Sequence, residues 1–193
     1  MKSNSQITYS VHSHLDDDLS RQLMIATNEI LGMQDNLGFA GPMDPETGAQ
    51  YLASLRSDMT KTLTLLLART NPDGAVVGQL MFRRRETPNS RHIADLSRVF
   101  VLPRYRNPGV LTSAAAALVS LANQHGIELL CADARAGSVE DRLWRMLGFS
   151  TYGVLPDYSR ANGKVYSGNM LFQPVQKLAQ HIQPAISARL ASE

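Results

Sequence analysis

The sequence predicts a mixed α/β (α+β) domain, a mostly antiparallel sheet with helices on its faces. Three observations predict it. Hydrophobic periodicity switches between strand and helix repeats in the order β, α, α, β, β, β, α, β, α, β, β. The three consecutive strand patterns in the middle are joined by short turns and read as an antiparallel run. A helical stretch then links two strand patterns as a βαβ crossover, and a hairpin follows.

The elements follow in order. ITYSV (7–11) alternates and is the first strand; the polar residues 1–5 before it read as loose. Asp16 or Asp17 can cap a helix carrying Leu19, Leu23, Ile30 and Leu31. Gly38, Gly41 and Pro42 mark a loop, and Asp44 caps a second helix that opens at Pro45 and runs to about Arg56. TLTLLLART (62–70) and AVVGQLMFRR (75–84) form a hairpin across Asn71-Pro-Asp-Gly. In HIADLSRVFVL (92–102), alternation puts Ile93, Asp95, Ser97 and Val99 on one face and Ala94, Leu96, Arg98 and Phe100 on the other.

After Pro103 the chain turns, and a helix rich in small residues runs to about His125, stopped by Gly126. IELLCADA (127–134) is continuously apolar, as a sheet interior requires. Ser138 caps a helix, with Asp141 at the capping-box position, and Gly148 ends it. FSTYGVL (149–155) is a short strand, Pro156 to Gly163 a loop, and KVYSGNMLFQ (164–173) the last strand. Residues 1–174 read as one domain, and 175–193 as a tail whose helical periodicity breaks at Pro184.

Composition narrows the function. The chain has 193 residues, 44% of them hydrophobic, enough for a real core. A net charge of +2 does not imply nucleic acid, although arginines cluster at 83–85 and at 98, 104 and 106. One cysteine, Cys131, forbids an internal disulfide and suggests a cytoplasmic setting. The N-terminal residues show no signal peptide, and no apolar stretch is long enough to span a bilayer. The five histidines show no metal-ligand spacing.

The junction Tyr105-Arg-Asn-Pro-Gly-Val-Leu-Thr-Ser carries the first chemical signal. The opening N–H groups of a helix lack internal partners and sit at the positive end of its dipole. Arg104 and Arg106 add charge, and Gly109 permits close approach of the backbone to an anion. Any strand-loop-helix junction has such an N-terminus, so this observation alone leaves a phosphate site and an ordinary turn equally open.

Arg106-Asn-Pro-Gly109-Val-Leu111 resembles the Q/R-x-x-G-x-G/A diphosphate loop of the GNAT superfamily, the N-acetyltransferases that use acetyl-CoA. VFVLPRYR before it and GSVEDRLWRMLGF (137–149) after it resemble the same family. PNSRHIADLSRVFVLPRYR (88–106) and ELLCADARAGSVEDRLWRMLGFSTYGVLPDYSRANGKVY (128–166) are similar to tabtoxin-resistance-type acetyltransferases in particular. The resemblance covers residues 63 to 173. It implies a central parallel pair of strands that splay apart. Val99, Phe100 and Val101 would line the pantetheine of acetyl-CoA. Arg104, Arg106, Asn107, Gly109, Val110, Leu111 and Thr112 would hold its diphosphate. Leu111 stands where the motif has glycine or alanine; it either crowds the diphosphate or points into helix packing.

The resemblance also implies the reacting groups. Acyl transfer to an amine needs a proton acceptor and oxyanion stabilisation, and the leaving thiolate may take a proton. Asp95 and Asp133 match the subgroup's acidic pair, and Tyr158 its Pro-x-Tyr loop. Trp144 occupies the position where many members carry an acidic tyrosine, and tryptophan has no proton to give. His92 matches a family histidine and reads equally well as structural. The implied activity is acetyl transfer to a small-molecule amine, in antibiotic self-resistance or secondary metabolism. Two alternatives keep the fold: an amide-forming transferase fed by aminoacyl-tRNA, and a non-catalytic binding domain. A homodimer through the last strand and tail is also implied.

Overall fold

The computed structural model describes residues 6–33, 37–39, 41–107, 109–161 and 163–191. Residues 1–5, expected to be loose, Pro108 and Asn162 of the two expected loops, and the last two residues of the tail lie outside these. Seven strands and five α-helices are present among the described residues: β1 (Gln6–His12), α1 (Asp17–Leu31), α2 (Pro45–Met59), β2 (Leu63–Asn71), β3 (Val76–Arg84), β4 (Ile93–Val101), α3 (Val110–Gln124), β5 (Leu129–Arg135), α4 (Val139–Met146), β6 (Ser150–Ala161), β7 (Lys164–Pro174) and α5 (Val175–Leu190). Short 3-10 turns at Pro88–Ser90 and Pro103–Tyr105 flank β4. The strand order is β1-β2-β3-β4-β5-β7-β6, mostly antiparallel, with β4 and β5 parallel. This is the mixed sheet the sequence predicts.

The chain forms two compact units. The first comprises residues up to Phe82 together with Arg98–Asn107. Its core gathers Leu19, Leu23 and Ile30 of α1, Tyr51 and Leu55 of α2, and Leu65 and Leu67 of β2, with Phe100 and Leu102. Asp16 and Asp44 cap α1 and α2 by accepting from Leu19 N at 2.8 Å and Thr47 N at 2.7 Å. Each cap satisfies an orphan N–H at the positive end of a helix. Gly78 is where β3 and β4 come closest: a Cβ there would lie 2.5 Å from the Phe100 carbonyl oxygen.

The second unit comprises Arg83–Ser97 and residues 108 onward. Here β5 is flanked by parallel β4 and antiparallel β7, and β7 carries β6 on its other side. α3 packs on α5. Asp141, 4% exposed, ties α4 to the sheet. It accepts from Gly137 N at 2.9 Å, Asn169 Nδ2 at 3.0 Å and Arg145 Nε at 3.1 Å. Sequence places Asp141 in a capping box, and Ser138 does accept from its N–H at 3.2 Å. The carboxylate reaches one residue further back than a standard box, because Asn169 and Arg145 also claim it.

Two expectations fail. Pro156 to Gly163 is not a loop; β6 continues to Ala161 and the turn is confined to its tip. Proline survives there because β6 is an edge strand and its outer side has no ladder to feed. A register shift between Leu155 and Ser159 absorbs the irregularity. The helical periodicity of the tail also does not break at Pro184, since α5 runs through it.

Candidate active site

β5 sets the frame. Its even-numbered residues Leu130, Ala132 and Ala134 are 0–5% exposed, so its odd-numbered residues Cys131, Asp133 and Arg135 face the other way. The parallel ladder with β4 ends at Leu96↔Ala132, although β4 runs on to Val101 and β5 to Arg135. Asp133 is the first β5 residue beyond that ladder. Asp95, paired in register with Cys131, lies on the same face.

Asp133 is held by one side chain. The Tyr158 hydroxyl donates to its Oδ2 in a very short hydrogen bond. The neighbour across the sheet makes this possible. β7 runs antiparallel to β5, pairing Asp133 with Met170 and Arg135 with Gly168. The Tyr158 ring lies directly over Gly168: a Cβ there would sit 2.2 Å from the ring Cγ. Glycine leaves the space a ring needs, and the β6 register shift next to Tyr158 swings the ring across. The phenol is pushed above its ordinary pKa, first by burial, then by the hydrogen bond to Asp133 and that carboxylate's charge. It therefore keeps its proton through the neutral range.

Asp95 is engaged differently. Arg85 grips it with a two-pronged fork, Nε to Oδ2 at 2.9 Å and Nη2 to Oδ1 at 2.7 Å. Both side chains are part-exposed, at 38% for Arg85 and 44% for Asp95. The pair raises the arginine's pKa above its ordinary value, chiefly through the hydrogen bond. The carboxylate is thus already committed. Beside it the Cys131 thiol is pushed up, mainly by burial. Cys131 reads as inert packing under the charged pair.

The other predicted residues fall as follows. Trp144 is 3% exposed and packs on Phe149 with ring centroids 4.8 Å apart, so no titratable group stands at that position. His92 is exposed and takes part through its carbonyl, which accepts from Glu128 N and Leu129 N. Arg135 stacks on Tyr166 at 4.0 Å and donates from Nε to Ser159 Oγ at 3.2 Å. Tyr152, 60% exposed, meets Phe172 edge-on at 6.1 Å. Two contributors escape the sequence reading. The arginine triplet reads as a solvated strand end, yet Arg85 is the partner of Asp95. Gly168, inside a strand pattern, was the available signal of a close approach.

The residues expected to hold a diphosphate fall at the end of the first unit and in the opening turn of α3. Gly109 is the N-cap of α3 in the left-handed conformation, φ 96°, and no described side chain caps the helix. The start of this 15-residue helix is the positive end of its dipole. Leu111 and Thr112 are half-buried in its first turn. Val110 is buried and belongs to the packing. Arg106 is exposed, with its Nε donating to the Val101 carbonyl at 2.8 Å, which fixes the guanidinium at the loop. Asn107 is exposed next to it. Arg104 is less available: it pairs with Glu29 and stacks on Tyr105 at 4.8 Å. Val99 and Val101 are half-buried, whereas the Phe100 side chain is in the first unit's core.

Comparison with known proteins shows the family and the fold. The model of the acetyltransferase (GNAT) family matches residues 36–149. A GNAT-family acetyltransferase from Streptococcus pneumoniae has a similar structure, with a TM-score of 0.69 at 17% identity over 86% of this chain and 99% of that one. A GNAT superfamily phosphinothricin acetyltransferase from Sinorhizobium meliloti, in complex with acetyl-CoA, gives 0.65 at 17% over 86% and 88%. A ribosomal-protein-alanine N-acetyltransferase from Brucella melitensis gives 0.65 at 22% over 86% and 99%. At these identities the likeness is one of fold, and the acceptors in these descriptions range from a small molecule to a protein.

Proposed function

This chain belongs to the GNAT acetyltransferase family and is an N-acetyltransferase, and we propose that it carries an acetyl group from acetyl-CoA to the amine of a small molecule. The observation that carries the reading is the Tyr158–Asp133 pair beyond the end of the parallel ladder. We assign the acceptor to the class served by tabtoxin-resistance-type enzymes, amine-bearing antibiotics or secondary metabolites. The resemblance over residues 88–106 and 128–166 supports that assignment.

Acetyl-CoA would supply an activated acetyl thioester. The N–H groups of Gly109, Leu111 and Thr112, with Arg106 and Asn107, would hold its diphosphate, and the backbone of Val99, Phe100 and Val101 its pantetheine. An amine is mostly protonated near neutral pH and attacks only as the free base. Asp133 is the group we assign to hold the ammonium and receive its proton, directly or through water. Tyr158 orients Asp133: a phenol pushed above its ordinary value is a steady hydrogen-bond donor and a poor acid. Asp95, neutralised by Arg85, serves as a fixed charge pair that orders the neighbouring strand ends.

The first test is calorimetric titration of the protein with acetyl-CoA, with free CoA as control. Micromolar binding of both is expected. No binding of either would mean the Gly109 loop holds another ligand, and the acetyl-CoA reading would fall. An amine screen with the loaded enzyme then follows. Turnover that survives Asp133→Asn would remove Asp133 from the chemistry.

A further inference from the structure

The first unit holds a cation that the acetyl-transfer reading leaves unused. Arg98 sits on β4 with φ 48°, the one non-glycine residue in the left-handed region among those described. Such a backbone costs roughly 1–3 kcal/mol for a bulky residue and persists only where its surroundings impose it. Here Gln79, 3% exposed, imposes it by donating from Nε2 to the Arg98 carbonyl at 3.1 Å. The strain turns the Arg98 side chain onto two aromatic rings. Its guanidinium carbon lies 4.8 Å from the Phe39 centroid and 5.0 Å from the Tyr51 centroid. The rings brace each other edge-to-face, 5.5 Å apart at 83°.

The other arginines described above each reach an oxygen, whatever ring they also stack on: Arg85 on Asp95, Arg104 on Glu29, Arg106 on the Val101 carbonyl, Arg135 on Ser159. The Arg98 guanidinium meets no carboxylate, carbonyl or hydroxyl among the described residues. The residue is half-buried against the rings and its guanidinium carries five N–H donors. Beside it Tyr51, 7% exposed, keeps a buried hydroxyl with no hydrogen-bond partner among the described residues. A buried hydroxyl left unpaired is costly unless a ligand satisfies it, and the half-exposed guanidinium beside it is open to the same ligand. A planar guanidinium fork matches an oxyanion, and aromatic walls strengthen that match by excluding water.

We propose that Arg98, Phe39 and Tyr51 form a binding site for the oxyanion of a small molecule, of the carboxylate or phosphonate class. The site stands independently of the donor loop and of acetyl transfer. The protein labelled with 15N-arginine tests it. The Nε–H signal of Arg98 is identified by its loss in Arg98→Lys. Sodium acetate and methylphosphonate are then titrated in separately at constant ionic strength, with methylammonium chloride as the cation control. The expected result is a saturable shift of the Arg98 signal with an anion and none with methylammonium. Phe39→Leu, which keeps an apolar residue there, should weaken the binding several-fold. A drift that never saturates, equal to that of exposed Arg21 and Arg160, would overturn the proposal and leave the cluster as packing. Because the wild-type titration decides, a variant that misfolds does not rescue the idea.

Discussion

Replacing Gly168 by alanine tests how the site is built. The added Cβ would lie 2.2, 2.4 and 2.7 Å from Cγ, Cδ2 and Cβ of Tyr158. Ordinary carbon contacts need about 3.5–4.0 Å, so the ring must move by more than ~1 Å. β7 cannot retreat, since it is paired on both sides, to Arg135 and to Leu155 at this position. The ring must therefore swing out and release Asp133. Overpacking of this kind costs ~1–2 kcal/mol, here at the low end because Tyr158 lies on an edge strand with room to leave. That is a fall of roughly 3–6 °C in Tm. The hydrogen bond to the carboxylate is part-exposed, so its loss should lower kcat/KM by about tenfold, equivalent to ~1.4 kcal/mol. Affinity for acetyl-CoA should not change. Ultraviolet titration gives an independent readout: the Tyr158 phenol, pushed up in the native protein, should fall back toward its ordinary value once solvated. In a Tyr158→Ala background, Gly168→Ala should cost almost nothing. A Gly168→Ala enzyme with unchanged turnover and unchanged tyrosine titration would refute the argument.

Three further outcomes are expected. Asp133→Asn should lower kcat by ~10²–10⁴-fold, with Tm nearly unchanged because Asp133 is exposed; an equal loss of stability would make Asp133 structural. Gly109→Glu should abolish acetyl-CoA binding in calorimetry, since it puts a carboxylate at the phosphate loop and a side chain on a φ of 96°; unchanged affinity would move the donor elsewhere. Stability should fall as the pH drops below about 6.5, because burial lowers the pKa of both His12 and His125. Arg69 reinforces the effect at His12 and Arg84 at His125. The unfolded chain then binds protons that the folded chain resists. Thermal melts of the His12→Gln, His125→Gln double variant between pH 7.5 and 5.5 should show a flatter slope, and an unchanged slope would assign the dependence to carboxylates.

Much of the fold is written in local chemistry. Asp16, Asp44 and Ser138 cap the helices their positions announce, and Gly126 ends α3 at φ 65°. Asp133 and Tyr158, matched by resemblance to separate motifs, are bonded to each other in space. What stayed hidden depends on partners distant in the chain. Regular alternation along β4 cannot announce the left-handed turn at Arg98, because Gln79 on another strand holds it. Arg85 sits in a run of three similar charges, and only the strand register tells which one meets Asp95. Pro156 reads as a loop because an isolated sequence does not say that its strand is outermost.

That outermost position has a consequence for adaptation. β6 is held by a ladder on one side only, and it carries Tyr158 together with the exposed Tyr152, Val154 and Leu155. Substitutions along it meet solvent on one flank and leave Leu130, Ala132 and Ala134 beneath β5 undisturbed. A lineage could retailor this strip to new molecules while its folding stability stays nearly constant. Tyr158 is the exception, tied to the hydrogen atom of Gly168: a side chain at 168 fits without strain only once the Tyr158 ring has gone.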